Sequence, residues 1–231
     1  MKYKKRILCL ANSRKMSGRC VAGREIFDDG APGAWVRPVS ARPHQEISEE
    51  DRSYEDGETA QVGDIIYIPM KRHVPNGYQP ENHLIDDGFY WAKDRVARWA
   101  EITAAAEMVN GPIWLNGFSS YNGLNDRVPL AESARLDRSL WLLEPNTLSV
   151  WVGVEGGGLF PAKRAVRAHF RVGNASYQLK VTDPSASKQL LAKSNGKHTF
   201  PAGTLLCISL GEPFEGFAYK LVATILEPNE G

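Results

Sequence analysis

Short apolar and β-branched stretches, separated by turn residues, run along the whole chain and predict a mainly β protein. In the first half, Lys5–Ala11, Ala34–Val39 and Gly63–Met70 have the length and composition of strands. In the second half the stretches lie closer together. The six strands predicted there are Ser139–Leu143, Leu148–Val154, Val166–Val172, Tyr177–Thr182, Thr204–Leu210 and Ala218–Leu226.

Two segments have helical character instead. Ala92–Met108 repeats apolar residues at roughly the 3.6-residue period and is stopped by Asn110-Gly111-Pro112, and Ser185–Lys193 predicts a shorter helix. The predicted fold class is therefore mainly β with one or two helices. Six strands and one helix in the last third indicate a closed or partly closed barrel, because closure removes exposed strand edges. We expect two domains, a β domain with long loops and a helix over 1–138 and a barrel over 139–231.

Composition predicts a folded protein with no membrane-spanning segment and no zinc site. The 231 residues, 42% of them hydrophobic, are enough for two separate cores. No apolar run reaches the about 18 residues that span a bilayer, so we expect no membrane partner. The three cysteines lack the paired spacing of a zinc site, which predicts reduced thiols in a cytoplasmic protein and no bound metal.

Charge is distributed unevenly although the net charge is only +1. Residues 1–30 carry eight Lys or Arg against three acids, and residues 155–200 carry eight against two. If these two blocks share one face, they provide a positive surface for a phosphate backbone. The alternative is that both are ordinary solvated faces of a neutral protein.

Two groups of candidate ligand-binding residues lie near the N-terminus. Arg14, Lys15 and Arg19 surround a predicted turn after the first strand, where cationic side chains and backbone N–H groups favour phosphate binding. Trp35 and Arg37 alternate along the second predicted strand and share a face, so together they are candidates for stacking a base. A capped polar turn and a core tryptophan remain the structural alternatives.

A third group lies in an irregular stretch with several hydrogen-bonding side chains. Tyr78, Gln79, Asn82 and His83 provide amide and imidazole groups on a loop, as ligand-binding loops do. The alternative is that these side chains fasten the loop to the domain by local hydrogen bonds.

The clearest periodic signal is in Val166–Val172, where Arg167, His169 and Arg171 alternate with apolar residues. This pattern predicts a strand with one basic face and one apolar face. Tyr177, across a predicted hairpin, is a candidate stacking ring. Further cations that extend the basic surface are Lys163, Arg164, Lys188, Lys193 and Lys197.

No catalytic signature or cofactor motif is present in the sequence, so we assign no catalytic residue and no cofactor. Two alternatives to nucleic-acid binding stay open. One is a metal-dependent hydrolase that uses the 78–87 loop, and the other is a protein-interaction domain whose contact is the acidic stretch 46–64.

Several stretches together resemble a bacterial family, the dual OB-containing domain. The similarity is carried by KRILCLANSRKMSGRCVAG, AWVRPVS, GYQPENHLID, KRAVRAHF, LKVTDP and ISLGEPFEGFAYKLVATIL, and it extends from about Lys5 to Ile225. It implies two OB-like barrels packed together, a fold that often binds single-stranded nucleic acid. We therefore predict a non-catalytic module for nucleic acid or a nucleotide-containing ligand in a bacterial nucleic-acid-processing or defence system.

Overall fold

The computed structural model describes residues 2–15, 17–157 and 160–228. The chain divides into two compact units. The first contains the residues up to Ala106 together with Asp137–Ser139, and the second contains Glu107–Leu136 and the residues from Leu140 onwards. The boundary between two domains at 138/139 stays a prediction. In the structure, residues 107–136 cluster with the second unit.

The first unit is a barrel of five strands. They are β1 (Tyr3–Lys15), β2 (Gly18–Ile26), β3 (Pro32–Val39), β4 (Asp64–His73) and β5 (Asn82–Ile85). Their order is β1-β2-β3-β5-β4, and antiparallel pairing of β1 with β4 closes the ring. The pair β3–β5 is parallel. The interior is filled by apolar side chains such as Ile7, Val36, Ile66 and Met70. Closure of this kind leaves the five strands with few exposed edges.

The predicted helix over Ala92–Met108, which follows this barrel in the chain, is wrong for most of its length. Its first part is a strand, β6 (Ala92–Val96), which pairs with β4, and only the six residues of α1 (Trp99–Ala104) are helical. The pairing with β4 overrides the helical propensity of the first part, which is the usual outcome when tertiary contacts compete with a weak local preference. The Glu101 carboxylate accepts a hydrogen bond from the Arg98 backbone N–H at the start of α1.

The first regular elements of the second unit are β7 (Arg127–Pro129) and α2 (Leu130–Ser133), and the strands that follow them form a barrel. Its other elements are β8 (Leu140–Leu143), β9 (Thr147–Gly157), β10 (Phe160–Val172), β11 (Ala175–Val181), α3 (Pro184–Leu191), β12 (Gly196–Thr199), β13 (Leu205–Phe214) and β14 (Phe217–Leu226). The sheet order is β12-β9-β10-β11-β14-β13-β8, with β7 beside β14. The core contains Val150, Phe170, Leu179 and Ile208.

The two barrels have the same strand order. In the second barrel β8 and β9 together occupy the place of β1, since β8 pairs with β13 and β9 pairs with β10. The pair β11–β14 is parallel, like β3–β5 in the first barrel. The helix α3 lies between the third and fourth strands of the second barrel, where the first barrel has the irregular segment 40–63. Each unit is therefore a five-stranded barrel of OB type.

Local sequence explains the second barrel's connections. Gly173 and Asn174 form a two-residue turn between β10 and β11, and Gly173 has a φ of 55°, which glycine adopts without steric penalty. At the start of α3 the Asp183 carboxylate accepts hydrogen bonds from the backbone N–H groups of Ser185 and Ala186. The predicted hairpin and the predicted short helix are confirmed. The strands β2, β5, β7 and β12 were not predicted.

Candidate nucleic-acid interface

A row of large side chains crosses four strands on the outer face of the second barrel. Lys197 on β12 pairs with Trp151 on β9, Trp151 pairs with Arg167 on β10, and Arg167 pairs with Lys180 on β11. Residues directly opposite each other in antiparallel strands point to the same face of the sheet. We call the outer side of β12, β9, β10 and β11 the Trp151 face.

Alternation along the strands separates this face from the core. Val150 and Val152 on β9 are buried, whereas the side chain between them, Trp151, is 46% exposed. On β10 the predicted alternation is confirmed, since Val166 and Phe170 are buried and Arg171 is exposed. A tryptophan with nearly half of its surface in solvent presents a flat apolar ring to a ligand.

A second row on the same face consists of Thr199, Ser149, His169 and Gln178. The imidazole of His169 lies next to the indole of Trp151, with ring centroids 6.0 Å apart. The Gln178 side chain donates to the backbone carbonyl of Asn122, in a loop that borders β11. The neighbouring Tyr121 in that loop is fully exposed.

The electrostatic environment of the face is positive. Burial lowers the pKa of His169, and the positive charges of Arg167 and Lys197 lower it further. The pKa of Lys180 is lowered by burial and by Lys163 and Arg167, while Glu155 acts in the opposite direction. The cations are thus close enough to repel one another, and a phosphate placed among them relieves that repulsion.

Two of the predicted cations on β10 have partners in the chain itself. Arg167 donates to the Glu155 carboxylate, and its side chain is only 12% exposed. Arg164 donates to the backbone carbonyls of Leu191 and Lys193 at 2.6 Å each, where α3 ends. Lys163 and Arg171 are exposed. Lys163 and Arg171 are therefore better placed than Arg164 to contact a phosphate.

Tyr177 is inside the second barrel and not on its surface. Its ring is 1% exposed and stacks on Phe170 at 5.3 Å between centroids. The hydroxyl oxygen accepts hydrogen bonds from the Ile113 backbone N–H and the Asn116 side-chain amide. In this structure the ring has no free face on which a base could stack.

The predicted phosphate-binding turn in the first barrel is a hairpin whose strands continue to its end. β1 extends to Lys15 and β2 starts at Gly18, and Arg14 pairs with Arg19 across the two strands. Arg14 is exposed, and Arg19 donates to the Glu49 carboxylate at 3.0 Å. The three cations come together at one end of the barrel, although Arg19 already has an anionic partner.

Trp35 and Arg37 are both buried in the first unit, at 8% and 4% exposure. The Arg24 guanidinium lies over the Trp35 ring, 5.8 Å from its centroid. Arg37 donates to Ser139 Oγ and to Cys20 Sγ at 2.8 Å each, and to Glu81 Oε1 at 3.4 Å. Since a buried guanidinium needs such partners, these contacts give Arg37 a structural role.

The loop between β4 and β5 is closed by its own hydrogen bonds. Asn76 and Gln79 exchange backbone hydrogen bonds, and Asn82 donates its side-chain amide to Gln79 Oε1 at 3.2 Å. Tyr78, Gln79 and Asn82 are all buried. The structure thus favours the fastening interpretation of these side chains over direct ligand contact.

His83 follows that loop, lies on β5 and is half-buried. Its Nδ1 is hydrogen-bonded to Tyr3 Oη, and its ring lies 4.6 Å from that of His73. Burial, with the positive charges of His73 and Lys5, lowers the pKa of His83 to about 4. The imidazole is therefore neutral at pH 7.

Within 2–15, 17–157 and 160–228, no group of three or more His, Cys, Asp or Glu is arranged to hold a metal ion. In the acidic stretch 46–64, Asp51 is bonded to Arg42, Glu49 to Arg19 and Arg52, and Asp64 to Lys93. None of the helices in the described part of the chain is long and apolar enough to cross a membrane.

Two barrels with this strand order, each with a parallel pair between its third and fifth strands, define a protein built from OB-type barrels. The chain belongs to the dual OB-containing domain family, whose model matches residues 5–225. No curated protein matches it. The predicted family and the predicted mainly β, OB-containing fold are confirmed, and the family indicates a module that binds nucleic acid or another ligand.

Sequence reasoning missed Trp151 and Lys180 as members of a site. The signal for Trp151 was present, because Val150 and Val152 flank it in a strand and so predict that it faces outward. What the sequence lacks is the register that sets Trp151 opposite Arg167 and Lys197. That register depends on strands separated by up to 46 positions along the chain.

Proposed function

We propose that this protein is a non-catalytic module that binds single-stranded nucleic acid through the Trp151 face. The observation that carries the proposal is the cross-strand row Lys197, Trp151, Arg167 and Lys180. It combines an exposed aromatic ring with cations on both sides, which is how barrels of this class hold a strand without reading its sequence.

The indole of Trp151 supplies the stacking surface. Every base has a flat π-face, so one exposed ring accepts any of the four, and each stacked base contributes about 1–3 kcal/mol. His169, next to the indole, widens the platform for a neighbouring sugar or base. A double helix has no unstacked bases to offer, and this favours a single strand as the ligand.

The cations supply contacts to phosphate groups. Lys163, Arg171, Lys180 and Lys197 are all exposed, on or beside the Trp151 face. Arg167 stays bonded to Glu155 and positions its neighbours. The exposed Arg14 and the partly buried Lys15 of the first barrel remain proposed as a further phosphate contact. Another group of residues is assigned to stabilising the barrel in which each lies, namely Trp35, Arg37, Tyr78, Gln79, Asn82, His83 and Tyr177.

We place the module in the cytoplasm of a bacterium, as part of a nucleic-acid-processing or defence system. Cys9 and Cys20 are free thiols, which is typical of a reducing compartment. Identification of the nucleic acid that copurifies with the protein tests this part of the proposal.

The test is a titration of labelled single-stranded and double-stranded oligonucleotides with the full chain at two salt concentrations. With about four phosphate contacts, one for each exposed cation of the face, affinity for the single strand falls about 50-fold between 50 and 200 mM salt. Reversing the exposed cations, in Lys180→Glu/Lys197→Glu, flattens that dependence. Equal affinity for duplex, or no salt dependence, contradicts the proposal and favours the protein-interaction alternative.

A further inference from the structure

A pocket of mixed polar and apolar lining lies beside the β10–β11 turn in the second barrel. It has a volume of about 630 Å³ and is lined by the turn, Val172–Ala175, and by part of the irregular segment that precedes β7, namely Val109–Pro112 and Asn116. This volume is within the range of pockets that hold small molecules. All nine lining residues are uncharged.

The side-chain amide of Asn116, which lines the pocket, is held in a fixed orientation by two buried residues. Asn116 Nδ2 donates to Tyr177 Oη at 3.0 Å, and Asn116 Oδ1 accepts from Lys220 Nζ at 3.2 Å. Tyr177 and Lys220 are each 1% exposed. An amide has two N–H donors and two acceptor lone pairs, so each end of Asn116 keeps one hydrogen-bonding position for another group.

The wall that carries Asn116 is itself anchored. The Ile113 side chain is fully buried in the core, and its backbone N–H donates to Tyr177 Oη at 2.9 Å. Lys220 Nζ also donates to the backbone carbonyl of Leu115 at 2.7 Å. Between these anchors Trp114 has a φ of 58°, a conformation that a non-glycine residue adopts only where the surroundings impose it. The tyrosine and the lysine therefore fix both the backbone and the side chain that face the pocket.

The opposite wall is equally well defined. The Gly173 backbone N–H donates to Asn146 Oδ1 at 2.7 Å, and the Asn125 side-chain amide donates to the Ser176 carbonyl at 3.0 Å. These bonds hold the turn in place and leave the Asn174 side chain at the pocket. The residues that line the pocket thus include three asparagines, Asn110, Asn116 and Asn174, beside the apolar residues Val109, Pro112 and Val172.

We propose that this pocket binds one unpaired nucleobase, with the fixed Asn116 amide hydrogen-bonding to the edge of the base. A base is flat and uncharged, and its edge carries adjacent donors and acceptors that complement an amide. A phosphate does not fit, because no lining residue supplies a positive charge. The proposal rests on the proposed function, since β10 and β11 carry both the pocket at their turn and half of the Trp151 face. A strand lying on that face can place one base in the pocket.

The experiment uses the full chain labelled with ¹⁵N and follows the side-chain amide resonances of Asn116 and Asn174 by NMR. The four ribonucleosides are added separately at millimolar concentration, with ribose 5-phosphate as a probe for the sugar and phosphate alone. We expect at least one nucleoside to shift both amides and ribose 5-phosphate to shift neither. No shift with any nucleoside, or the same shift with ribose 5-phosphate, overturns the proposal.

Two variants separate this pocket from the Trp151 face. Asn174→Leu fills the pocket from an exposed turn position without touching the buried Tyr177 and Lys220, and it should weaken nucleoside binding at least tenfold. Trp151→Ala should leave the nucleoside Kd at the pocket, read from the Asn116 amide resonances, within twofold of wild type while weakening oligonucleotide binding. Undiminished nucleoside binding by Asn174→Leu overturns the pocket proposal, even if the oligonucleotide still binds in a Trp151-dependent way. If Trp151→Ala binds the oligonucleotide as tightly as wild type while nucleosides still shift the two amides, only the proposed function is contradicted.

Discussion

The two barrels place the same kinds of side chain in opposite environments. In the first, Trp35 and Arg37 occupy alternate positions of β3 and are both buried, with Arg24 over the tryptophan and Glu81 beside the arginine. In the second, Trp151 is exposed on the row that includes Arg167 and two lysines. A tryptophan near an arginine is thus part of the buried structure in one barrel and part of a binding surface in the other.

The difference lies in the charge around each pair, because Arg167 also has carboxylate partners but stands among further cations. Arg37 is bonded to the buried hydroxyl of Ser139, the buried carboxylate of Glu81 and the partly buried thiol of Cys20, which compensates its burial. The cations around Trp151 outnumber the carboxylates of Glu155 and Asp126 that pair with Arg167, so the second barrel keeps an excess of positive charge at its surface. The predictions below test this contrast, beginning with the largest expected effect.

Replacing the buried arginine should destabilise the first barrel severely. Arg37→Met leaves Glu81 as a buried charge without its cation, and breaking a buried pair in this way costs about 3–5 kcal/mol. The measurement is urea unfolding, followed by the fluorescence of the tryptophans. Glu81→Gln on the same background should recover part of the loss, because it removes the stranded charge. Wild-type stability with weakened oligonucleotide binding would instead make Arg37 a ligand contact.

Removing the exposed ring of the second barrel should weaken binding but not stability. Trp151→Ala deletes one stacking platform, which is worth about 1–3 kcal/mol, or about 5-fold to 150-fold in Kd. Fluorescence anisotropy of a labelled single strand measures the change. Phe214→Ala is the matched control, since Phe214 is 62% exposed on β13, outside the Trp151 face. Equal losses in the two variants would refute a specific role for Trp151.

Reversing the two lysines of the row should change the salt dependence. Each phosphate contact that is lost reduces the slope of log K against log salt by about 0.7 for a single strand, so Lys180→Glu/Lys197→Glu should reduce it by about 1.4. Lys188→Glu/Lys193→Glu makes the same change in net charge on and just after α3 and serves as the control. An identical reduction in the control would mean that net charge, not the face, governs binding.

The smallest expected effect is a pH dependence of stability in the first barrel. The folded pKa of His83 is about 4, against an ordinary value of 6.5. The unfolded chain therefore binds this proton first, and the stability due to neutral His83 is present above pH 6.5 and is lost as the pH falls towards 4. Because His83 is partly solvated, we expect about 1 kcal/mol. Urea midpoints of wild type and His83→Gln between pH 4 and 7 measure it, and parallel curves would contradict it.

Much of the fold followed from local sequence, and the omissions have a common cause. Nine strands and the helix α3 were predicted from apolar patterning and turn residues. The strand β2 was missed because Gly18–Ile26 lacks clear alternation, and its pairing with β1 and β3 on either side makes it a strand. Ala92–Val96 was assigned to a helix because its partner, β4, lies about 30 positions earlier in the chain.

The site was predicted less completely, for a related reason. Alternation correctly showed which residues of β10 share a face. It did not show which faces are covered, and so Trp35 and Tyr177 were expected to be accessible to a ligand. The groups that bury the Tyr177 hydroxyl, Ile113 and Asn116, lie more than 60 positions away. Burial of a polar aromatic residue depends on such distant partners, which no local pattern reveals.

The most direct test of the account is photocrosslinking of the full chain to a single-stranded oligonucleotide that carries bromouracil, with the crosslinked peptides identified by mass spectrometry. We expect the principal crosslink to fall on the β9 peptide that contains Trp151 and to disappear in Trp151→Ala. Crosslinks confined to the first barrel, with the Trp151 peptide unlabelled at saturating oligonucleotide, would contradict it.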